Sequence, residues 1–281
     1  MLDEAWQDWI RDNLKRGCTV ESMVSVMIHE RIDPVLAMES IQRVAEGRAA
    51  NGEPGDESDA CHCWSPRFAL SSSNRVHIEG HAIRMVARLE RPAVAVLDGV
   101  LSDEECKAFI TLSRNRMTQS TVVDPADGVA RTIHSRSSKS MFFERGQTPL
   151  VSRVERRLAQ LMGEPVAHGE GLQVLHYQQG GEYRPHYDYF PPGEAGSTRH
   201  VTQGGQRCAT LIMYLNDVEA GGGTTFPDVG FTCFPRRGMG LYFAYRDAGG
   251  LLDPLTLHGG MPVARGEKWI MTKWVRERPY G

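Results

Sequence analysis

Apolar side chains recur at helical spacing through the first part of the chain. They fall into three groups: Trp6, Trp9, Ile10 and Leu14; then Met23, Val26, Met27 and Ile28; then Val35, Ala37, Met38, Ile41 and Val44. The groups are interrupted near Gly17 and near Asp33 and Pro34, residue types that end helices. The pattern predicts three short helices, and we assign residues 1–48 to a helical accessory module. Such a module either packs as an extension on the main domain or recruits a protein partner.

The next segment loses this periodicity. From Ala49 to about Asn74 the chain is rich in Gly, Pro, Ser and acidic residues, a composition typical of linkers. We therefore predict that residues 49–85 form a linker or an irregular wrap. Cys61, His62 and Cys63 lie within it, but the two cysteines lack the two-residue spacer common in zinc knuckles and no second Cys/His pair follows nearby.

Short β-rich runs separated by glycine and proline fill the rest of the chain. They cover residues 93–97, 171–177, 210–215, 231–234, 240–245 and 269–275, a pattern typical of an antiparallel sandwich or barrel. Two helices are predicted among them, one following Ser102 as N-cap with acidic residues in its first turn, and one opening at Pro149. We predict a mainly β domain over residues 86–281, with a jelly-roll core and flanking helices.

Composition and charge narrow the location and the partners. A chain of 281 residues with 41% hydrophobic residues can bury a core and still carry an accessory segment. The net charge of -3 supplies no basic field, so we expect neither nucleic acid nor an anionic membrane as a partner. The start carries acids and tryptophans where a secretory signal has a basic region and an apolar run, and no long apolar stretch follows. With six scattered cysteines, expected to be reduced thiols, this predicts a cytoplasmic protein.

Three residues form a candidate metal site. His186 and Asp188 lie two positions apart at the end of a β-rich stretch, so both side chains project from the same face. His258 follows several strands later, where a closed sheet can bring it to the pair. Two imidazoles and one carboxylate suit a non-haem Fe(II) that keeps other positions open, whereas a structural zinc site would be closed. Taken singly, each histidine also fits a core role and Asp188 fits a turn before Pro191 and Pro192.

Lys268 adds a second indication. It lies ten residues after His258, beside the apolar Trp269, Ile270 and Met271. A lysine in such a strand either faces solvent or pairs with a buried anion. The distal carboxylate of 2-oxoglutarate is an anion of this kind, and an ammonium can bind it as a point charge.

The chain resembles a known family over about residues 86–281. The segments that carry the resemblance are PAVAVLDGVLSDEECKAFI, SRSSKSMFF, LQVLHYQQGGEYRPHYDYF, QRCATLIMYLNDVEAGGGTTFPDVG and LHGGMPVARGEKWIMTKWVRER. In order and spacing they are similar to the prolyl 4-hydroxylases, Fe(II)- and 2-oxoglutarate-dependent dioxygenases with a double-stranded β-helix core. The resemblance implies a procollagen-proline 4-dioxygenase-like enzyme that uses O₂, yields succinate and CO₂, and is supported by ascorbate.

The same resemblance implies roles for individual residues. It makes His186, Asp188 and His258 the iron ligands and Lys268 the partner of the distal carboxylate, with Tyr177 and Thr224 as further co-substrate contacts. It places Tyr183, Arg207 and Trp274 along a groove for a proline-containing peptide or protein. Residues 122–131, rich in turn formers, fall where the family has a mobile loop, which predicts a lid.

Other functions stay open at this point. The same iron chemistry could act on a free amino acid, another protein side chain or a small metabolite. A non-catalytic jelly-roll binding module is the alternative from a different class, and the complete ligand set together with Lys268 argues against it. A zinc hydrolase is disfavoured because no glutamate stands beside the ligands as a general base.

Overall fold

The computed structural model describes residues 4–15, 20–30, 32–33, 36–38, 40–41, 43–44, 68–70, 72–120, 122–123, 130–131, 137–246 and 251–281. The chain divides into two compact units, residues 1–60 and residues 61–281. Among the described residues, no helix combines the length and the apolar character that crossing a lipid bilayer requires.

The smaller unit is helical. It contains α1 (Glu4–Lys15) and α2 (Val20–His29), and the backbone is helical again at residues 36–38, 40–41 and 43–44. The apolar positions that predicted these helices meet in a small core of Ile10, Met23, Met27, Ala37 and Ile41. The amphipathic spacing therefore identified the first two helices correctly, because one apolar face of each is buried.

The larger unit is mainly β. Its helices are α3 (Asp103–Arg114), α4 (Pro149–Met162) and α5 (Ala195–Thr202), with 3₁₀ turns at Val166–His168, Pro227–Val229 and Pro254–Thr256. Its strands are β1 (Arg75–Ile78), β2 (His81–Leu89), β3 (Ala93–Asp98), β4 (Thr118–Gln119), β5 (Val122–Val123), β6 (Ala130–Arg131), β7 (Lys139–Phe143), β8 (Leu172–Tyr177), β9 (Tyr183–His186), β10 (Arg207–Tyr214), β11 (Ala220–Gly221), β12 (Thr224–Phe226), β13 (Phe231–Cys233), β14 (Gly240–Ala244), β15 (His258–Gly260), β16 (Val263–Arg265) and β17 (Lys268–Arg276).

Two antiparallel sheets form the jelly roll. The main sheet has the order β1-β2-β3-β14-β10-β17-β8-β7-β4, and the minor sheet has the order β13-β12-β15-β9. The pairs β11-β16 and β5-β6 are separate. The jumps in strand order are the crossovers that a jelly roll requires, so the predicted architecture is confirmed.

Successive side chains of the main sheet point to opposite faces, and both faces are buried. On β17, for example, Met271 belongs to the core shared with α3 and α4, whereas Ile270 belongs to the core between the two sheets. Both predicted helix starts are confirmed as well. Ser102 caps α3 in a reciprocal capping box with Glu105, and Thr148 caps α4 with Pro149 in its first turn.

The predicted linker is wrong in its last part. Residues 75–85 belong to a hairpin of β1 and β2 joined by Glu79 and Gly80, both with positive φ. The hairpin buries one face only, with Ile83 fully buried and its neighbours Ala82 and Arg84 exposed, and it follows directly on the polar segment that ends near Asn74, so the prediction extended the linker into it. Residues 49–67, including Cys61, His62 and Cys63, lie outside the described residues.

Two other predictions fall partly outside the described residues. Of the predicted lid, the described parts are Val122–Val123 and Ala130–Arg131, which pair as antiparallel strands, and the lid stays a prediction. Of the cysteines, Cys106, Cys208 and Cys233 are described and are free thiols.

Candidate iron and co-substrate site

The three predicted metal ligands meet between the two sheets. His186 ends β9 and His258 begins β15, and the two residues are direct partners in the minor sheet. Asp188 follows two residues after His186, with Oδ1 3.6 Å from His186 Nε2 and Oδ2 3.7 Å from His258 Nε2. One donor atom from each residue lies within 4.8 Å of the other two. The structure therefore brings the predicted set together at the spacing that a single ion can bridge.

Neighbouring groups orient these donors toward a common point. The Nδ1 atom of His186 lies 2.9 Å from the Arg184 carbonyl oxygen, and that of His258 lies 3.0 Å from the Thr256 carbonyl oxygen. Because a carbonyl oxygen only accepts, each Nδ1 must donate and each Nε2 keeps a lone pair for a metal. Thr210 Oγ1 donates to Asp188 Oδ2 at 2.7 Å. The sequence did not single out Thr210, because a threonine within an apolar β-run is ordinary.

The protonation of the ligands suits a cation. Burial, together with the proximity of His186, lowers the pKa of His258 to about 4, so its imidazole is neutral at physiological pH. Burial raises the pKa of Asp188, but His258, His186 and Arg207 outweigh it and hold that pKa below its ordinary value. The neutral His258 imidazole and the Asp188 carboxylate, together with His186, fit Fe(II), and three protein donors leave positions for other ligands.

Lys268 lies at the other end of the same space. Its side chain is buried, with Nζ 5.6 Å from the Tyr177 ring centroid and 5.9 Å from the Tyr214 ring centroid. Burial lowers the pKa of Lys268 to about 8, and among the described residues no carboxylate forms an ion pair with it. A buried ammonium of this kind needs an anionic partner, and the described residues supply none. The distal carboxylate of 2-oxoglutarate meets that need.

The other two predicted co-substrate residues surround Lys268. Tyr177 is its direct partner across β8 and β17. Thr224 is buried on β12 and accepts a hydrogen bond from the Tyr214 hydroxyl at 2.9 Å. Gly222 lies beside the lysine, since a Cβ there would be in van der Waals contact with Lys268 Cδ at 3.4 Å. The arrangement forms a polar end to an otherwise largely aromatic space.

A single cavity of about 460 Å³ joins the metal ligands to Lys268. Its lining includes every site residue that the sequence predicted: His186, Asp188, His258, Lys268, Tyr177, Thr224, Tyr183, Arg207 and Trp274. Tyr183 stacks on His186 with ring centroids 3.7 Å apart. Trp274 Nε1 is buried and has no hydrogen-bond partner among the described residues.

Arg207 is held in place by residues that sequence reasoning missed. Glu170 accepts from its Nε at 2.6 Å and from its Nη2 at 2.9 Å, and Arg276 Nε donates to the same carboxylate at 2.6 Å. The Arg207 Nη1 atom donates to the Asp188 carbonyl oxygen at 3.1 Å, and its guanidinium lies 4.1 Å from the Trp274 ring centroid. Arg207 thus forms part of the cavity wall and also supports Asp188, a predicted metal ligand.

Comparison with known proteins first defines the class. Residues 172–276 match the family described as the 2OG-Fe(II) oxygenase superfamily. This segment contains the predicted metal ligands and Lys268. The chain is accordingly an oxygenase that uses Fe(II), 2-oxoglutarate and O₂.

The relatives then define the family. The chain is 40% identical over 208 residues to the Arabidopsis thaliana protein named "Probable prolyl 4-hydroxylase 3", covering 67% of this chain and 71% of that protein. It is 35% identical over 189 residues to prolyl 4-hydroxylase subunit alpha-1 of Mus musculus, covering 67% of this chain and 35% of that subunit. A viral collagen prolyl hydroxylase from Paramecium bursaria Chlorella virus-1 superposes with a TM-score of 0.52 at 28% identity, covering 65% of this chain and 95% of that one. The chain belongs to the prolyl 4-hydroxylase family.

Proposed function

We propose that this enzyme hydroxylates proline residues of a peptide or protein at carbon 4, with succinate and CO₂ as co-products. The observation that carries the proposal is the cavity that joins the predicted metal ligands to the buried Lys268, which has no carboxylate partner among the described residues, and that continues along aromatic walls. Family membership gives the reaction class. The lining of the cavity gives the argument for a peptidyl substrate.

The chain's own residues perform binding, orientation and exclusion of water. Bound Fe(II) supplies the activation of O₂ that couples decarboxylation of 2-oxoglutarate to hydroxylation. His186, Asp188 and His258 would hold the ion, and Lys268 would hold the distal carboxylate of the co-substrate. Because Lys268 and His258 are almost fully buried, their interactions with these charges are stronger than they would be in water.

The charges around the cavity favour a peptide over a free amino acid. Among the described residues that line it, Asp188 supplies the acidic side chain, and that carboxylate faces the metal position. Arg207 is a lining cation already paired with Glu170. A free amino acid brings an ammonium that would need a carboxylate partner, whereas a proline within a peptide brings no charge.

The aromatic side chains of the lining suit a proline ring. They include Phe142, Tyr183, Tyr187, Tyr189, Phe190 and Trp274. Flat rings of this kind bury a pyrrolidine well and lose little conformational freedom on doing so. A proline-rich segment, which already favours an extended polyproline conformation, loses little entropy on entering such a groove.

Incubation of the enzyme with proline-rich peptides, Fe(II) and 2-oxoglutarate tests the proposal. We expect succinate to form together with peptide proline that has gained one oxygen atom, identified as 4-hydroxyproline after hydrolysis. The Asp188→Ala variant should lose both products, whereas a non-catalytic binding module would keep its affinity for a partner. Succinate that forms only in the presence of free amino acids or small metabolites would contradict the peptidyl assignment.

We also propose a recruiting role for the helical unit. Val26 is 46% exposed, Ile28 45% and Met38 47%, so apolar side chains are available on its surface for a protein partner. Two further expectations belong with the proposed activity: ascorbate should sustain turnover, and the protein should act in the cytoplasm. Omitting ascorbate from the assay should shorten the period of linear product formation.

A further inference from the structure

Phe142 is an exposed aromatic residue on the wall of the cavity. Its side chain is 51% exposed, and yet it is one of the lining residues. The alternation of β7 explains this position, because Met141 and Phe143 are buried in the core shared with the helices while Ser140 and Phe142 point to the other face. A large apolar ring that is half exposed beside an active-site cavity is available for a ligand.

The strand register places Phe142 relative to the metal ligands. Phe142 pairs with Gln173, Gln173 pairs with Thr272, and Thr272 pairs with Ile212, so the four form one row across the main sheet. Thr210, which binds Asp188, lies two residues from Ile212 on the same strand. Since neighbouring strands are about 4.8 Å apart and residues along a strand about 3.3 Å apart, the Phe142 backbone lies about 14 Å from that of Ile212 and about 16 Å from that of Thr210.

That separation corresponds to a short stretch of peptide. An extended or polyproline chain advances about 3.1 to 3.4 Å per residue. A peptide whose target proline is above Thr210 would therefore present its fourth or fifth neighbouring residue to Phe142. Gln173 and Thr272, which lie between, are uncharged and admit a peptide backbone.

We propose that Phe142 forms an apolar subsite that binds a proline, or another apolar residue, four or five positions from the target proline. The inference rests on the proposed prolyl hydroxylation and adds a determinant of substrate choice. The occupant is apolar because the ring itself offers no hydrogen bond, and a proline ring stacks on an aromatic face without losing rotamer entropy. The subsite continues the same cavity, so one peptide reaches both positions.

Two peptides of equal length test this inference. The first carries prolines on both sides of the target, and the second keeps only the target proline and carries serines elsewhere. The wild-type enzyme should prefer the first peptide by about tenfold in kcat/KM, the range that one well-packed aromatic contact supplies. In Phe142→Ala this preference should fall to near one through a higher KM for the first peptide, with KM for 2-oxoglutarate unchanged.

Phe234→Ala is the matched control. Phe234 is 59% exposed, follows β13 and lies outside the cavity lining, so its removal should leave the preference unchanged. Phe142→Trp should retain the preference, and its thermal unfolding, compared with that of Phe142→Ala, separates loss of contact from loss of fold. A wild-type preference that persists in Phe142→Ala would overturn the subsite. A wild-type enzyme that hydroxylates neither peptide would instead overturn the proposed function itself.

Discussion

Thr210 and Asp188 form a hydrogen bond of 2.7 Å that fixes one oxygen of the carboxylate predicted to bind the metal. The donor belongs to β10 of the main sheet, whereas Asp188 follows β9 of the minor sheet, so the bond links the two layers across the cavity. The other carboxylate oxygen faces His186. A carboxylate oriented in this way loses less conformational entropy when it binds an ion.

Thr210→Val should therefore weaken metal binding. The substitution keeps the shape of the side chain and removes the donor, and we expect the affinity for the ion to fall by about 10- to 100-fold. Titration of the apoprotein with Co(II) or Mn(II) measures this directly. Thr232→Val is the control, because Thr232 binds Thr225 within the minor sheet at 3.1 Å, away from the ligands. Equal affinity in wild type and Thr210→Val would show that Asp188 is oriented without this bond.

The sequence predicted those features that local patterns encode. Alternation located the core strands, and the two-residue spacing of His186 and Asp188 placed both side chains on one face. The hydrogen bonds of Thr210 and Glu170 were not predicted, because they depend on the pairing of strands that are far apart in the chain. The β1-β2 hairpin was missed for another reason, since it follows directly on the polar segment that ends near Asn74 and its exposed face carries charged residues such as Arg84 and Arg88.

The pH dependence of co-substrate binding should report on Lys268. Burial lowers the pKa of Lys268 to about 8, and only its ammonium form attracts a carboxylate. We expect KM for 2-oxoglutarate to be constant below this pH and to rise above it, by up to about tenfold per pH unit. In Lys268→Arg, KM for 2-oxoglutarate should not change with pH, whatever its absolute value, since a guanidinium does not titrate in this range. A wild-type KM that stays flat above the lysine's pKa would contradict the assignment.

The lowered pKa of Lys268 also makes the free energy of unfolding depend on pH. Because the pKa falls from its ordinary value of 10.5 to about 8 on folding, the unfolded chain binds more protons between these two pH values. The contribution of Lys268 to the free energy of unfolding therefore increases as pH rises through this window. Bound 2-oxoglutarate should reduce the effect, because its carboxylate stabilises the ammonium.

Deletion of residues 1–48 should separate recruitment from catalysis. If the helical unit binds a protein partner through its exposed apolar residues, the shortened enzyme should lose kcat/KM toward folded protein substrates and keep it toward short peptides. Steady-state assays of both substrate types on both forms measure the difference. Equal losses on both would assign the helices a structural role.

We expect the loss of Glu170 to lower the free energy of unfolding more than the loss of any other charged residue at this site. Its carboxylate accepts from both Arg207 and Arg276, and all three side chains are largely buried. Burial raises the pKa of Glu170, but the two guanidiniums outweigh it and hold that pKa below its ordinary value. The carboxylate therefore stabilises the fold at neutral pH, and this contribution is lost as pH falls through the lowered pKa.

Glu170→Gln should lower the free energy of unfolding by about 3 to 5 kcal/mol, because it leaves two buried guanidiniums without a carboxylate. Urea unfolding followed by circular dichroism measures the loss. Glu219→Gln is the matched control, since Glu219 pairs with Arg265 at 2.9 Å where the two side chains are 63% and 70% exposed, and it should cost no more than about 1 kcal/mol. Similar losses in the two variants would mean that solvent reaches the Glu170 cluster, and the bracing of Asp188 by Arg207 would then have to come from packing against Trp274 instead.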